Sequence, residues 1–384
     1  MNKVYNTEEE IASKFRNFIE NVFKDGRKTQ LNIIPEIMLG MIASEASSAS
    51  KIAKKLKKIF PNVQYNSIVK RIRRFFNNNL FDPYSFYDSI IHYVINNYKV
   101  HHPDKRIHII FDHMFSHDNY TVFMITLRIG KQGIPLWFRC FKSQPSEAFK
   151  LDLLKNGIKY VSDLFDNSYK LIFLADRWFN STSLLSYIDS LGHTYVVRFK
   201  GNVKITYYNK DGKRKTKKLC EVSTLKNKAI YLNNIKVTGK KFVTNISISK
   251  RDGVEEPWII ATNGDSTRAI KDYGYRFGGI ETVFKNQKSN GFRIESINNS
   301  SINSFTTMYT LVSTSTLLLT IIGSDYSKNS GCYKNVKIET HKNYKKKGKI
   351  RIMSLFNVGL TLFNIALNSR IYVRLPLNFI LYDL

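Results

Sequence analysis

A short stretch of the chain places one carboxylate among basic, aromatic and uncharged residues. It runs from Tyr273 to Lys288 with the sequence YGYRFGGIETVFKNQK, and Glu281 is its only acid. From Ile280 onward the stretch predicts a helix in which Glu281, Lys285 and Lys288 share one face at i, i+4 and i+7. One carboxylate beside two ammonium groups suits a site that holds a divalent metal and a nucleic-acid phosphate together. The alternative is a solvated helix with a Glu–Lys pair.

Two aspartates at the ends of predicted strands are the other candidates for chemistry. Asp112 ends the run RIHIIFD, and Asp176 ends the apolar run KLIFLAD, just before Arg-Trp. Acids at the carboxyl ends of core strands commonly face a crevice and bind metals there. If the two strands are neighbours, Asp112 and Asp176 can share a metal, and Glu281 can close the site. Each aspartate taken alone could instead cap a turn or a helix.

The composition of the chain favours a polyanionic partner. Its 384 residues include 60 Lys and Arg against 30 Asp and Glu, a formal net charge of +30. Such an excess favours nucleic acid, because each phosphate contact releases counterions. An apolar share of 43% supports folded cores and excludes a disordered chain. Three widely spaced cysteines predict neither a disulfide framework nor a zinc site.

Residues 1–104 predict a helical DNA-binding domain. Lys51–Lys58 and Tyr65–Asn78 predict two short basic helices across a tight turn, as in a helix-turn-helix motif, and no acid occurs from Lys51 to Phe81. The alternative is a helical bundle with a solvated basic face, which normally mixes both charge signs. We expect the second helix to contact DNA through Lys70, Arg71, Arg73 and Arg74.

From residue 105 to 384 the periodicity is that of an α/β domain. Three strand-like runs, a helix, the apolar run ending at Asp176, another helix and a strand follow in order. That order predicts a mixed sheet with helices packed on its faces. Residues from about 202 to 258 predict an inserted β-rich module, basic along Lys213–Lys218, with hairpin signals.

One segment, Phe305–Ile322, is about long enough to span a membrane, but eight Ser and Thr residues interrupt it. It therefore predicts a buried helix. The first ten residues lack the apolar core of a signal peptide. We expect no membrane partner and a cytoplasmic protein that associates with the nucleoid when bound to DNA.

These motifs together resemble a DDE transposase of the cut-and-paste insertion-sequence type. That group has an RNase H-like domain holding Asp, Asp and Glu, with a Tyr-x2-Arg-x3-Glu-x6-Lys motif around the Glu. Asp112 and Asp176 match the two aspartates, and Glu281 with Lys288 keeps the x6 spacing. The Tyr-x2-Arg part is kept as well, but four residues instead of three precede the glutamate. The resemblance covers roughly residues 105–325.

The resemblance implies a fold and an activity. The fold is an RNase H-like mixed sheet flanked by helices, with a β insertion and a separate N-terminal helical domain. The activity is DNA cleavage and strand transfer: water frees a 3′-hydroxyl at the element's end, and that hydroxyl attacks the opposite strand or the target. The implied cofactor is Mg²⁺, as two ions with Mn²⁺ as a substitute, held by Asp112, Asp176 and Glu281.

The resemblance also implies partners. Double-stranded DNA, both element ends and target, would be bound by a homodimer. Arg276, Lys288 and Tyr273 would contact DNA near the cleaved end, and Trp178 could stack on a flipped or terminal base. For Trp178, a core or interface role is an equal alternative.

Two other functions stay open at this point. An RNase H-like nuclease without strand transfer would begin with the same hydrolysis, so only a joining assay on pre-cut ends separates it from a transposase. A non-catalytic DNA-binding protein derived from a transposase is the third reading. The presence of Asp112, Asp176 and Glu281 argues against it, since loss of function tends to erase site acids.

Overall fold

Five helices form the N-terminal part of the chain in the computed structural model. The structure describes residues 8–99, 105–116, 120–142, 146, 150–208, 211–222, 228–237, 242–250, 256–296, 301–333, 336–338, 341–344, 348–351, 353–368, 373 and 380–382. The helices are α1 (Glu8–Val22), α2 (Lys28–Ser44), α3 (Ala49–Ile59), α4 (Tyr65–Phe76) and α5 (Pro83–Asn96).

The two predicted basic helices are confirmed as α3 and α4. Each buries an apolar stripe at helical spacing, for example Ile52 and Leu56 on α3, and Ile68 and Ile72 on α4. The chain then enters α5 through Asp82, whose carboxylate accepts the first backbone N–H groups of that helix. All three helices therefore pack by one face and leave their charged residues outside.

A ten-stranded mixed sheet follows the helices. Its order is β4-β3-β2-β5-β6-β11-β10-β9-β7-β8, and only the β2–β5 and β5–β6 pairs are parallel. The elements of this region are β1 (Tyr98–Lys99), β2 (Arg106–Ser116), β3 (Tyr120–Ile129), β4 (Gln132–Lys142), α6 (Leu151–Asp163), β5 (Lys170–Ala175), α7 (Thr182–Ser190), β6 (Thr194–Arg198), β7 (Lys204–Tyr208), β8 (Arg214–Lys218), β9 (Ala229–Val237), β10 (Phe242–Ser249) and β11 (Trp258–Thr262).

The predicted mixed sheet flanked by helices is confirmed. Strands β7 to β10 fall within the segment predicted as an inserted β module, and they do not form a sheet of their own. They extend the main sheet outward from β11, which pairs with both β6 and β10. This happens because β11 offers a free edge beyond the parallel strands, and an unpaired edge attracts further strands. The domain boundaries themselves stay predictions.

A long buried helix joins the N-terminal helices to the sheet. The remaining elements are α8 (Ser266–Gly274), α9 (Ile280–Lys285), α10 (Ile302–Lys328), β12 (His341–Tyr344), β13 (Gly348–Arg351), α11 (Leu355–Asn368) and β14 (Leu381–Tyr382). Helix α10 is long and apolar enough to cross a membrane, but its whole apolar window is buried inside the protein. It packs against α2, α5, α11 and β4. The predicted buried helix is thus confirmed.

Helices α10 and α11 cross in backbone contact. A Cβ atom added to Gly359 would lie 1.8 Å from the carbonyl oxygen of Leu319. A Cβ on Gly323 would lie 1.9 Å from the carbonyl oxygen of Leu355. Glycine at these two positions therefore sets the distance between the helices.

We expect Gly359→Ala to lower the free energy of unfolding by about 3 kcal/mol, because the new methyl group must push two helix backbones apart. Urea unfolding measures the change. Gly331→Ala is the matched control, since an added Cβ there meets nothing within 4 Å. An equal loss in both variants would contradict the close crossing.

Candidate active site

Asp112 lies on β2 at the point where that strand loses one neighbour. The pairing of β2 with β5 ends at Ile110 and Leu174, whereas its pairing with β3 continues to Ser116. The prediction that the strand ends at Asp112 is therefore wrong, because β2 continues for four more residues, paired with β3. One carboxylate oxygen of Asp112 accepts the N–H of His113 at 2.9 Å. The side chain is 20% exposed, at the edge of a gap beside β2.

Asp176 follows the last residue of β5 and begins a 3₁₀ turn, Arg177–Phe179. Its Oδ1 accepts the N–H of Arg177 at 2.6 Å, so the capping role considered for this residue is present. The same oxygen accepts a longer hydrogen bond from the Tyr273 hydroxyl, at 3.4 Å. Since the parallel pairing of β2 with β5 ends at Ile110 and Leu174, each aspartate lies two residues beyond the end of that pairing.

Glu281 reaches the same region through a tight turn. The turn consists of a 3₁₀ segment, Tyr275–Gly278, followed by Gly279, after which α9 begins. A Cβ on Gly279 would lie 2.1 Å from Cδ1 of Ile110, two residues before Asp112 on β2. The turn therefore lies directly on the Ile110 side chain, which would have to move if residue 279 carried a Cβ atom. The extra residue noted before Glu281 belongs to this Gly-Gly turn.

Arg276 links two of the three acids. Its guanidinium donates to Oδ2 of Asp112 through one terminal nitrogen and to Oε1 of Glu281, at 3.3 Å, through the other. The arginine side chain is 8% exposed, whereas that of Glu281 is 47% exposed. The guanidinium thus lies inside the site as a counter-ion. Its Nε atom is buried and makes no hydrogen bond among the described residues.

The three acids share one electrostatic environment. Burial raises the pKa of Asp112; Arg276 and the N–H of His113 lower it, Asp176 raises it, and the net direction is upward. The pKa of Glu281 is raised too, by burial first and then by both aspartates against the opposing effect of Arg276. Burial alone would lower the pKa of Arg276, but the surrounding acids raise it. The site holds more negative charge than one arginine neutralises.

Tyr273 and Asp272 position the turn that carries Arg276. Tyr273 is buried, and burial together with the Asp176 charge raises its pKa to about 12, so its hydroxyl stays a donor. Asp272 is also buried and pairs with Arg106 at 2.9 Å and with His108 at 3.5 Å. Sequence reasoning missed Asp272. The spacing in the sequence could have indicated it, because Asp272 lies one helical turn before Arg276.

The predicted helical face of Glu281, Lys285 and Lys288 is only partly regular: Glu281 and Lys285 lie at i and i+4 on α9, but Lys288 lies beyond the end of that helix. Helix α9 ends at Lys285, and a π-helical turn, Asn286–Asn290, follows it. That turn is held by Gln287, which is fully buried and accepts the Tyr309 hydroxyl at 2.7 Å. Regular i+7 geometry is lost, and Lys288 pairs with Glu295 at 2.9 Å. Glu281 pairs with Arg276 rather than with Lys285.

Trp178 is exposed beside the site. Its residue is 72% exposed, and Nζ of Lys200 lies 5.1 Å from the centre of its ring. The core alternative for this tryptophan is therefore wrong. On α4, the cations Lys70, Arg73 and Arg74 are exposed, and Arg71 is exposed but pairs with Glu36 at 3.1 Å.

Carboxylate oxygens are the ligands that Mg²⁺ prefers, so the chemistry of the acids fits a divalent ion. Among the described residues no group of three His, Cys, Asp or Glu is close enough to hold a metal, and the Arg276 guanidinium lies between Asp112 and Glu281. Burial first, and then the neighbouring carboxylates, raise the pKa values of Asp112 and Glu281, so a bound cation would favour their charged forms. The residues fit the ion chemically, provided that Arg276 yields its position.

A mixed α/β sheet with two aspartates on adjacent parallel strands and a glutamate on a later helix is consistent with an RNase H-like transposase. The family model described as transposase DDE domain matches residues 129–318, and this match supports a DDE transposase. The matched range contains Asp176, Arg276 and Glu281 and begins after Asp112. No curated protein matches the chain significantly. Proteins of this family act on DNA and generally use divalent metals.

Proposed function

We propose that this protein binds the ends of a mobile DNA element, cleaves them and joins them to a target, in a reaction that depends on divalent metal. The observation that supports this most is the convergence on Arg276. Asp112, Asp176 and Glu281 come from a strand, a strand end and a helix far apart in the chain, yet one guanidinium and one tyrosine contact all three.

The three acids would hold two Mg²⁺ ions, with Mn²⁺ as a substitute. When bound, such ions activate the attacking oxygen and stabilise the leaving oxygen of a phosphodiester. Arg276 would give up its place between Asp112 and Glu281 and turn to a DNA phosphate, an acceptor that suits its planar fork of donors. Its unpaired Nε supports this role, because the present contacts leave one buried donor unused.

The surroundings of the acids supply DNA contacts. Trp178 would stack on a base next to the cleaved phosphodiester, with Lys200 beside it to meet the backbone. Lys288 would exchange its partner Glu295 for a phosphate. Tyr273 would act through Asp176, because its buried ring leaves only the hydroxyl available. We further propose a homodimer on DNA, and a cytoplasmic, nucleoid-associated location.

Helix α4 would bind DNA before chemistry. We expect the triple variant Lys70→Gln, Arg73→Gln, Arg74→Gln to weaken DNA binding and to reduce the slope of log K against log salt by about three, one for each lost phosphate contact. Fluorescence anisotropy across a salt series measures the slope. Arg71→Gln is the control, and we expect a smaller effect because Arg71 already has Glu36 as a partner. An unchanged slope in the triple variant would assign this face to solvent.

The joining assay tests the proposed function. The purified protein is incubated with Mg²⁺ and a DNA fragment that carries both sequences flanking the coding region, together with a target plasmid. We expect excised fragments and joined products, and joined products alone when the fragment is supplied with pre-cut ends. Cleavage without joining would identify a nuclease, and binding without cleavage would identify a non-catalytic DNA-binding protein.

A further inference from the structure

The outer strands of the sheet carry a continuous basic face. Lys204 on β7 lies directly opposite Lys218 on β8, and Thr206 lies opposite both Thr216 on β8 and Lys236 on β9. Cross-strand partners and residues two apart point to the same side of a sheet. The basic face therefore comprises Lys204, Arg214, Lys218 and Lys236.

This face is exposed, and the opposite face of the same strands is partly buried, although it carries one exposed lysine, Lys215. All four side chains of the basic face are exposed. On the other side, Ile205 and Val237 are buried opposite each other, and Leu219 is buried beyond the end of β8. The cations are thus held by a packed core and point outward.

The basic face lies on the side of the sheet that carries Asp112. The register of successive strand pairs gives this result. Lys236 pairs with Val243, Asn245 lies two residues further on β10, and the row continues through Thr262, Val196 and Leu174 to Ile110, two residues before Asp112. A surface that serves the DNA near the acids must lie on this side.

The charged residues of these strands are all of one sign. Strands β7 to β10 contain no Asp or Glu. No ion pair within the described part of the chain involves the four cations, and Glu221 uses its carboxylate on the backbone N–H of Lys218. Like charges directly opposite each other, as at Lys204 and Lys218, destabilise a sheet. A partner with negative charge would remove that cost.

Protection of a sheet edge is the simplest alternative, because lysines on edge strands prevent unwanted pairing. It would account for Arg214 and Lys218, since β8 is the edge strand. It does not account for Lys204 and Lys236, which lie on β7 and β9 inside the sheet. Cations that extend over three neighbouring strands indicate a surface that binds something.

We propose that this basic face binds the backbone of double-stranded DNA that continues outward from the acids. The inference rests on the proposed function. Lys200, beside Trp178, lies four residues before Lys204, so the chain runs directly from the neighbourhood of Asp176 to this face. The contact is with phosphates and carries no sequence preference, because exposed lysines on a flat sheet reach the backbone rather than base edges.

The test compares two double variants of equal charge. Lys204→Gln with Lys218→Gln removes two cations from the basic face; Lys215→Gln with Lys217→Gln removes two from the other side of β8. We expect the first to reduce the salt slope of binding to the flanking-DNA duplex by about two and the second to leave it near the parent. Thermal unfolding should show no loss of stability in the first variant, since a like-charge pair is relieved.

Equal slopes for the two double variants would overturn the inference. If the parent protein still cleaves and joins the flanking DNA, that result rules out only the DNA-binding role of the basic face. The proposed function then stays in place. If the parent neither binds nor cleaves this DNA, both proposals fail together. A first variant that loses stability would also contradict the inference, because it would assign Lys204 and Lys218 a structural role.

Discussion

Asp176→Asn is expected to reduce DNA cleavage at least about a thousandfold without unfolding the protein. The substitution keeps the shape of the side chain and an oxygen that can accept from Arg177 and Tyr273, but it removes one negative charge from the set that would hold the ions. A bound metal contributes several kcal/mol of charge stabilisation to phosphoryl transfer, and about 1.4 kcal/mol is a factor of ten in rate. Asp112→Asn and Glu281→Gln are expected to have effects of the same size.

The measurement is single-turnover cleavage of the flanking DNA, with binding and thermal unfolding recorded for each variant. Asp163→Asn is the matched control, because Asp163 lies on α6 with a side chain that is 58% exposed and pairs with Lys159. We expect parental cleavage from it. Parental cleavage from any of the three site variants would remove that acid from the site.

Arg276→Met is expected to lower the free energy of unfolding by about 3–5 kcal/mol in buffer without metal. The reason is that the substitution leaves Asp112 partly buried with no counter-ion, and breaking a buried ion pair from one side is strongly destabilising. Urea unfolding in the presence of a chelator measures the loss. A residue that served only as a contact to DNA would show no such loss.

A double-mutant cycle makes the Arg276 prediction specific. The double variant Arg276→Met, Asp112→Asn should lose less free energy of unfolding than the two single variants lose in sum. The reason is that the double variant leaves neither charge of this pair buried alone. Arg106→Met is a useful comparison, since Arg106 pairs with the buried Asp272 and should couple to Asp272→Asn instead. Additive losses for Arg276 and Asp112 would contradict the ion pair.

Patterns of short range made the main elements predictable from the sequence. Residues at helical spacing such as Ile52, Leu56, Ile68 and Ile72 predicted α3 and α4, and the apolar run before Asp176 predicted β5. The buried character of α10 followed from its Ser and Thr residues, several of which bond to the carbonyl one turn earlier. In each case the signal lies within one element.

Features that depend on contacts between distant segments were not predictable. The role of Arg276 as a counter-ion needs Asp112, which is distant in the chain and meets it only when the Gly-Gly turn lies on β2. The π-helical turn depends on Gln287 and Tyr309, which meet across two helices. The attachment of the four strands from β7 through β10 to the main sheet depends on the free edge of β11. Local periodicity contains none of this information.

The most direct test of the account is a change of metal preference. Asp112→Cys, Asp176→Cys and Glu281→Cys are assayed for cleavage with Mg²⁺ and with Mn²⁺, beside the Asn and Gln variants. A thiolate is a poor ligand for Mg²⁺ and a better one for the softer Mn²⁺. We expect at least one cysteine variant to be inactive with Mg²⁺ and to regain cleavage with Mn²⁺, while the Asn and Gln variants stay inactive with both. Parental activity of the cysteine variants with Mg²⁺, or no activity at any of the three positions with Mn²⁺, would contradict it.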